Sequence, residues 1–223
     1  MTVEHLNIDL GPGGSVSALL VRPPAARACY VLAHGAGAGM THRFMEEVAS
    51  GLAERDIATL RYQFPYIEKG SKRPDAPAVA HAAVRAAVAE AARRCGDRPL
   101  LAGGKSFGGR MTSQAQAIKP LPGVRGLVFL GFPLHPAGKP ATERAVHLGQ
   151  IPIPMLFVQG TQDKLAEAAL IGPVVAGLGS ATLHLVEAAD HAFHVPARSG
   201  RNDRAVMTEI LDAVAAWVRT VVG

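Results

Sequence analysis

The stretch LLAGGKSFGGRM, Leu100 to Met111, admits two incompatible readings. Gly104-Lys105-Ser106 has the ending of a phosphate-binding loop, G-x-x-x-x-G-K-[ST]. Gly104-Lys105-Ser106-Phe107-Gly108 also fits G-x-S-x-G, a sharp strand-to-helix turn that presents a nucleophilic serine. Counting back, the first glycine of a phosphate loop would be Pro99, whose φ is fixed and which has no N–H to give. Leu100-Leu101-Ala102 then read as strand rather than loop, and the later strand GLVFLGF lacks a Mg²⁺-binding aspartate. The nucleotide-binding reading is the weaker one. The serine reading has the strand before, the helix from Phe107 after, and small residues Gly104, Gly108 and Gly109 where the turn is tight.

Apolar runs at 5–10, Ser15–Val21, Ala28–Ala33, Ile57–Tyr62, 99–103, 126–131, 155–159 and 182–187 predict eight strands. Helical spacing predicts helices over 41–54 (capped by Thr41), 75–95 (capped by Asp75), Phe107–Ile118, 165–178 and from about 204 onward. Phe44, Val48 and Leu52 mark the apolar face of the first. Val79, Val84 and Val88 do so for the second, and Met111, Ala115 and Ile118 for the third. Residues 133–152 read as loop with one helical turn near Glu143. Short strands alternating with helices predict an α/β fold, a mostly parallel sheet covered on both faces. No repeat or linker divides the chain, so residues 1–223 are expected to form one domain.

A serine needs a base, and the base needs an orienting carboxylate. Asp163, in Gly160-Thr161-Gln162-Asp163, follows one strand, and His191, in Ala189-Asp190-His191-Ala192-Phe193, follows the next. Ser106, Asp163 and His191 thus fall at one sheet edge in the order Ser, Asp, His. Asp163 also reads as a helix cap, with Glu187 as the reserve acid, and His194 is a rival base. The oxyanion donors are expected to be the backbone N–H groups of Phe107 and of Ala36, with Gly35 close behind, from the loop His34-Gly35-Ala36-Gly37-Ala38-Gly39. His34 is expected to hold that loop.

Composition narrows the classes further. The 223 residues are 48% hydrophobic and carry a net charge of +5 with the basic residues dispersed, which disfavours nucleic-acid binding. No run is long enough to span a bilayer, and MTVEHLNIDLGPGG lacks signal-peptide layout, so a cytoplasmic protein is expected. Cys29 and Cys95 are too few for a disulfide framework and read as unpaired thiols.

The pieces HGAGAG, GKSFGG, GTQD and DHAF resemble the α/β-hydrolase family, in a small, lid-poor branch related in outline to dienelactone-hydrolase-like esterases. RYQFPY and GFPLHPAGKP resemble that branch too, although dienelactone hydrolases carry cysteine where this chain has Ser106. The resemblance implies an eight-stranded, mostly parallel sheet with helices on both faces and no separate lid domain. It also implies no metal and no organic cofactor. The function it implies is hydrolysis of a small-molecule ester or thioester through an acyl-enzyme. The alternative is a non-catalytic interaction module on the same scaffold. Gly35, Phe64, Phe132 and Leu134 are expected to touch the substrate, with Tyr66 and His135 nearby. Lys105 and Arg110 read either as contacts for an anionic substrate group or as solvated or structural residues. Oligomeric state is left open.

Overall fold

The computed structural model describes residues 2–223. Strands β1 (Val3–Asp9) and β2 (Ser15–Val21) form an antiparallel hairpin across a 3₁₀ turn, Gly11–Gly13. Then follow β3 (Ala28–Ala33), α1 (Arg43–Ala53), β4 (Ile57–Tyr62), α2 (Pro65–Glu68) and α3 (Pro77–Cys95). The second half contains β5 (Leu100–Lys105), α4 (Phe107–Ile118), β6 (Val124–Leu130), β7 (Met155–Gly160), α5 (Ala168–Ala176), β8 (Ala181–Val186) and α6 (Asp203–Val222). Between β6 and β7 lies a 3₁₀ segment, Glu143–Gln150, and no further domain. All eight strands form one sheet in the order β1-β2-β4-β3-β5-β6-β7-β8. From β4 to β8 neighbouring strands run parallel. The α/β-hydrolase architecture expected from the sequence is therefore present.

The central strands β3 to β7 are buried on both faces, so their side chains divide between two layers. Along β3, Cys29, Val31 and Ala33 join the layer under α3 and α4, while Ala28, Tyr30 and Leu32 join the one under α1 and α6. Each large aliphatic side chain removed from water contributes about 1.5–3 kcal/mol. In α3 the small residues Ala80, Ala83, Ala87 and Ala91 are all buried, which brings this long helix close to the sheet. Val206, Ile210, Val214 and Trp217 seal the opposite face from α6.

The differences from expectation are local. Helix α1 begins at Arg43, with His42 Nδ1 accepting from Phe44 N–H, instead of at Thr41. Helix α3 begins at Pro77, because Asp75 is engaged by the Tyr66 N–H at 2.9 Å. Asp163 does not cap α5, which starts five residues later. Pro65–Glu68, expected as loop, forms the helical turn α2. Val79 and Ile118 are exposed, at 43% and 72%, where helical spacing predicted core. Each sits near a helix end, beyond the sheet's cover.

Because β3 to β8 are parallel, the loops after each meet at one edge of the sheet. That edge carries every candidate site residue.

Candidate active site

Ser106 sits between β5 and α4 with φ 49° and ψ −114°, a conformation unfavourable for any residue with a Cβ. The surroundings impose it. A Cβ at Gly104 would lie 2.1 Å from the Ala33 carbonyl oxygen, and one at Gly108 would lie 2.6 Å from those of Ala33 and His34. Only glycine lets β5 and the first turn of α4 press against the end of β3. The turn therefore holds the serine at the tip of the strand.

Three loops then converge. Ser106 Oγ lies 2.8 Å from His191 Nε2, and His191 Nδ1 lies 2.7 Å from Asp163 Oδ2. With Asp163 ionised, Nδ1–H donates to the carboxylate and Nε2 is left to accept from the serine hydroxyl. Asp163 is 1% exposed, so its charge relies on hydrogen bonds. Oδ1 accepts from Leu165 N–H at 2.8 Å, and Oδ2 also accepts from Gln159 Nε2 at 2.5 Å. Gln159 in turn accepts from Phe132 N–H through Oε1 at 2.9 Å. The reserve acid Glu187 and the rival base His194 stand outside this series. His194 pairs with Asp203 at 2.8 Å on the surface.

Gln159 is a site residue that the sequence reading does not name, and Lys105 takes a structural role within the site. A fully buried glutamine ending the apolar run MLFVQ demands hydrogen-bond partners, and that demand was the available signal. Lys105 Nζ donates to the His191 carbonyl oxygen and stands 4.7 Å from the Phe193 ring centroid. Burial lowers its pKa to about 8, against the opposing pull of Asp163 and Asp190.

The loop after β3 is fixed from several sides. His34 Nδ1–H donates to the Gly35 carbonyl at 2.8 Å, and Nε2 accepts from Phe64 N–H at 3.1 Å. Burial lowers the pKa of His34 to about 4, so the ring is neutral. Gly37 N–H donates to the Tyr66 hydroxyl, and Met40 N–H to Gln63 Oε1. Neither Ala36 N–H nor Phe107 N–H donates to an acceptor among the described residues. Both residues line a depression that also contains Ser106.

The expected substrate contacts divide. Gly35 lines a depression of about 360 Å³ together with Phe44, Lys105, Ser106 and His191. Phe64, Phe132 and Leu134 are fully buried and line neither depression at Ser106. Phe64 packs edge-on against His34 and Phe107, and Phe132 against Phe129 and Phe157. They form the floor beneath the loops, not the walls. His135 is likewise buried, with Nε2 2.5 Å from Glu167. Among the described residues no group of three or more His, Cys, Asp or Glu side chains is arranged to hold a metal, and no helix is long and apolar enough to cross a membrane.

Fold and site together define a protein of α/β-hydrolase architecture that carries a hydrogen-bonded Ser–His–Asp series at its sheet edge. The α/β-hydrolase domain family matches residues 26–219, and the chain belongs to that family. Solved structures agree in fold. A dienelactone hydrolase from Anabaena variabilis superimposes with a TM-score of 0.80 at 19% identity, over 99% of this chain and 98% of that one. An α/β serine hydrolase homologue from Coxiella burnetii gives 0.76 at 20% identity, over 97% of each chain. XC6422 from Xanthomonas campestris, described as an α/β serine hydrolase without a lid, gives 0.74 at 18% identity, over 97% of this chain and 95% of that one.

Proposed function

We propose that the protein is a serine hydrolase that cleaves a small-molecule ester or thioester through an acyl-enzyme, the whole chain acting as one domain. The observation that carries this reading is the continuous hydrogen-bond series from Ser106 Oγ through His191 to buried Asp163. Ser106 Oγ attacks the carbonyl carbon while His191 Nε2 takes its proton. The tetrahedral oxyanion accepts from the N–H groups of Ala36 and Phe107. Collapse breaks the bond to the leaving alcohol or thiol, which receives the proton from His191. Water then attacks the acyl-enzyme by the same route, releasing the acid and restoring Ser106. Asp163 keeps the proton on Nδ1 and stabilises the imidazolium. Two buried, unpaired cysteines support a reducing, cytoplasmic setting.

The test is turnover of p-nitrophenyl acetate, with labelling by a fluorophosphonate probe. Ser106→Ala and His191→Ala are each expected to lose on the order of 10⁶ in kcat. Folded native protein that leaves the probe unreacted would sink the hydrolase reading and favour a non-catalytic module.

A further inference from the structure

Two depressions flank Ser106, and only one is lined by His191. The other, of about 400 Å³, is lined by Ala36, Phe107, Arg110 and Arg144. Arg110 stands one turn past Ser106 on α4, its guanidinium carbon 6.0 Å from the Phe107 ring centroid. Its Nε is fully buried with no hydrogen-bond partner. Ion pairs occupy Arg27, Arg43, Arg55, Arg93, Arg94 and Arg201, and neither Arg110 nor Arg144 has one among the described residues. A buried Nε–H without an acceptor is costly, and the outer nitrogens of two guanidinium groups that make no ion pair suit a carboxylate or phosphate.

The electrostatics agree. Burial and then the charge of Arg144 lower the pKa of Arg110. Burial and then Arg110 push nearby His147 down to about 4. The carboxylate at this depression, Asp75, is held by the Tyr66 N–H and makes no ion pair within 4.0 Å. Two like charges thus face one space, and its one carboxylate pairs with neither.

The reaction direction assigns that space to one half of the substrate. The leaving group must reach His191 Nε2, so it occupies the depression that His191 lines. The acyl chain then runs past Phe107 toward the arginines. We infer that the acyl half of the substrate ends in an anionic group, a carboxylate or phosphate-type oxyanion, gripped by Arg110 and Arg144. This inference rests on the hydrolase reading. For a carboxylate the reaction is that of a dicarboxylic hemiester with water, yielding the dicarboxylate, the alcohol and a proton.

The experiment compares ethyl hemiesters of succinate, glutarate and adipate with ethyl butanoate, pentanoate and hexanoate, by titration of released acid. Ethyl 4-phosphonobutanoate separates a phosphate preference from a carboxylate one. The native enzyme is expected to favour one anionic ester by about tenfold or more in kcat/KM. Arg110→Gln and Arg144→Gln should each cut that ratio by about tenfold, with partial return in Arg110→Lys. Arg204→Gln, at an exposed position in the first turn of α6, should leave the ratio alone. Native preference for the neutral esters would overturn the inference and leave the hydrolase reading intact. If no ester turns over, calorimetry of glutarate against pentanoate decides. Tighter glutarate binding that Arg110→Gln removes upholds the anion site, and equal binding overturns it.

Discussion

Lys105 Nζ donates a hydrogen bond to the main-chain carbonyl of His191. The residue before the proposed nucleophile therefore holds the backbone of the proposed base, across 86 positions of sequence. Lys105→Met keeps most of the stem and loses the donor. Small misplacements of reacting groups cost up to about 10²-fold. We expect kcat to fall by about 10–100-fold with KM nearly unchanged. An unaltered kcat would show that His191 needs no such hold.

Asp163 is expected to show the largest positioning effect. Asp163→Asn presents the wrong hydrogen-bonding pattern to His191 Nδ1, and such changes cost about 10⁴ in kcat. Gln159→Leu removes one donor to Asp163 and the acceptor of Phe132 N–H. Leaving those buried groups unsatisfied should cost about 1–3 kcal/mol of stability. Its kcat should lie between native and Asp163→Asn. Steady-state kinetics and urea unfolding check both.

The strain at Ser106 predicts a stability gain on inactivation. Glycine accepts φ 49° without penalty, whereas serine there costs about 1–3 kcal/mol. Ser106→Gly should therefore melt higher by about 2–4 °C, after the entropic cost of glycine in the unfolded chain. A lower melting temperature would mean that the serine side chain contributes more to the fold than its backbone costs.

His34 predicts acid sensitivity. Its folded pKa of about 4 lies below the ordinary value of 6.5, so the unfolded chain holds the extra proton between these limits. Its contribution is full above pH 6.5 and is lost as pH falls through about 4. Across that window the native protein should lose up to about 1.4 kcal/mol per pH unit more than His34→Gln. Urea unfolding at pH 7 and pH 4.5 measures the difference; parallel losses would refute it.

The fold and the three-residue series were legible because strand ends are marked by abrupt changes in composition. Ser106, Asp163 and His191 each follow such an end. Side-chain direction was less legible. Phe64, Phe132 and Leu134 follow strand ends too, yet they turn inward and fill the floor. A strand end shows where the backbone goes, not which layer its side chains enter. Arg144 lies in a segment without motif, and it meets Arg110 only through the packing of the 3₁₀ segment on α4. Asp75 has the residue type of a cap for α3, yet its carboxylate is claimed by Tyr66, a partner nine residues back.

The sheet order has a consequence for how this protein fails. Ser106 follows β5, near the middle of the sheet, whereas His191 follows β8, at its margin. Of the six β8 residues only Val186 is buried, three are partly buried and two are exposed, and local opening is easiest where burial is least. The margin can peel while the centre stays closed. Heat or mild denaturant should therefore silence turnover before the bulk of the sheet melts, and cooling should restore it. Serine and histidine part company as a reversible fuse within an otherwise intact molecule.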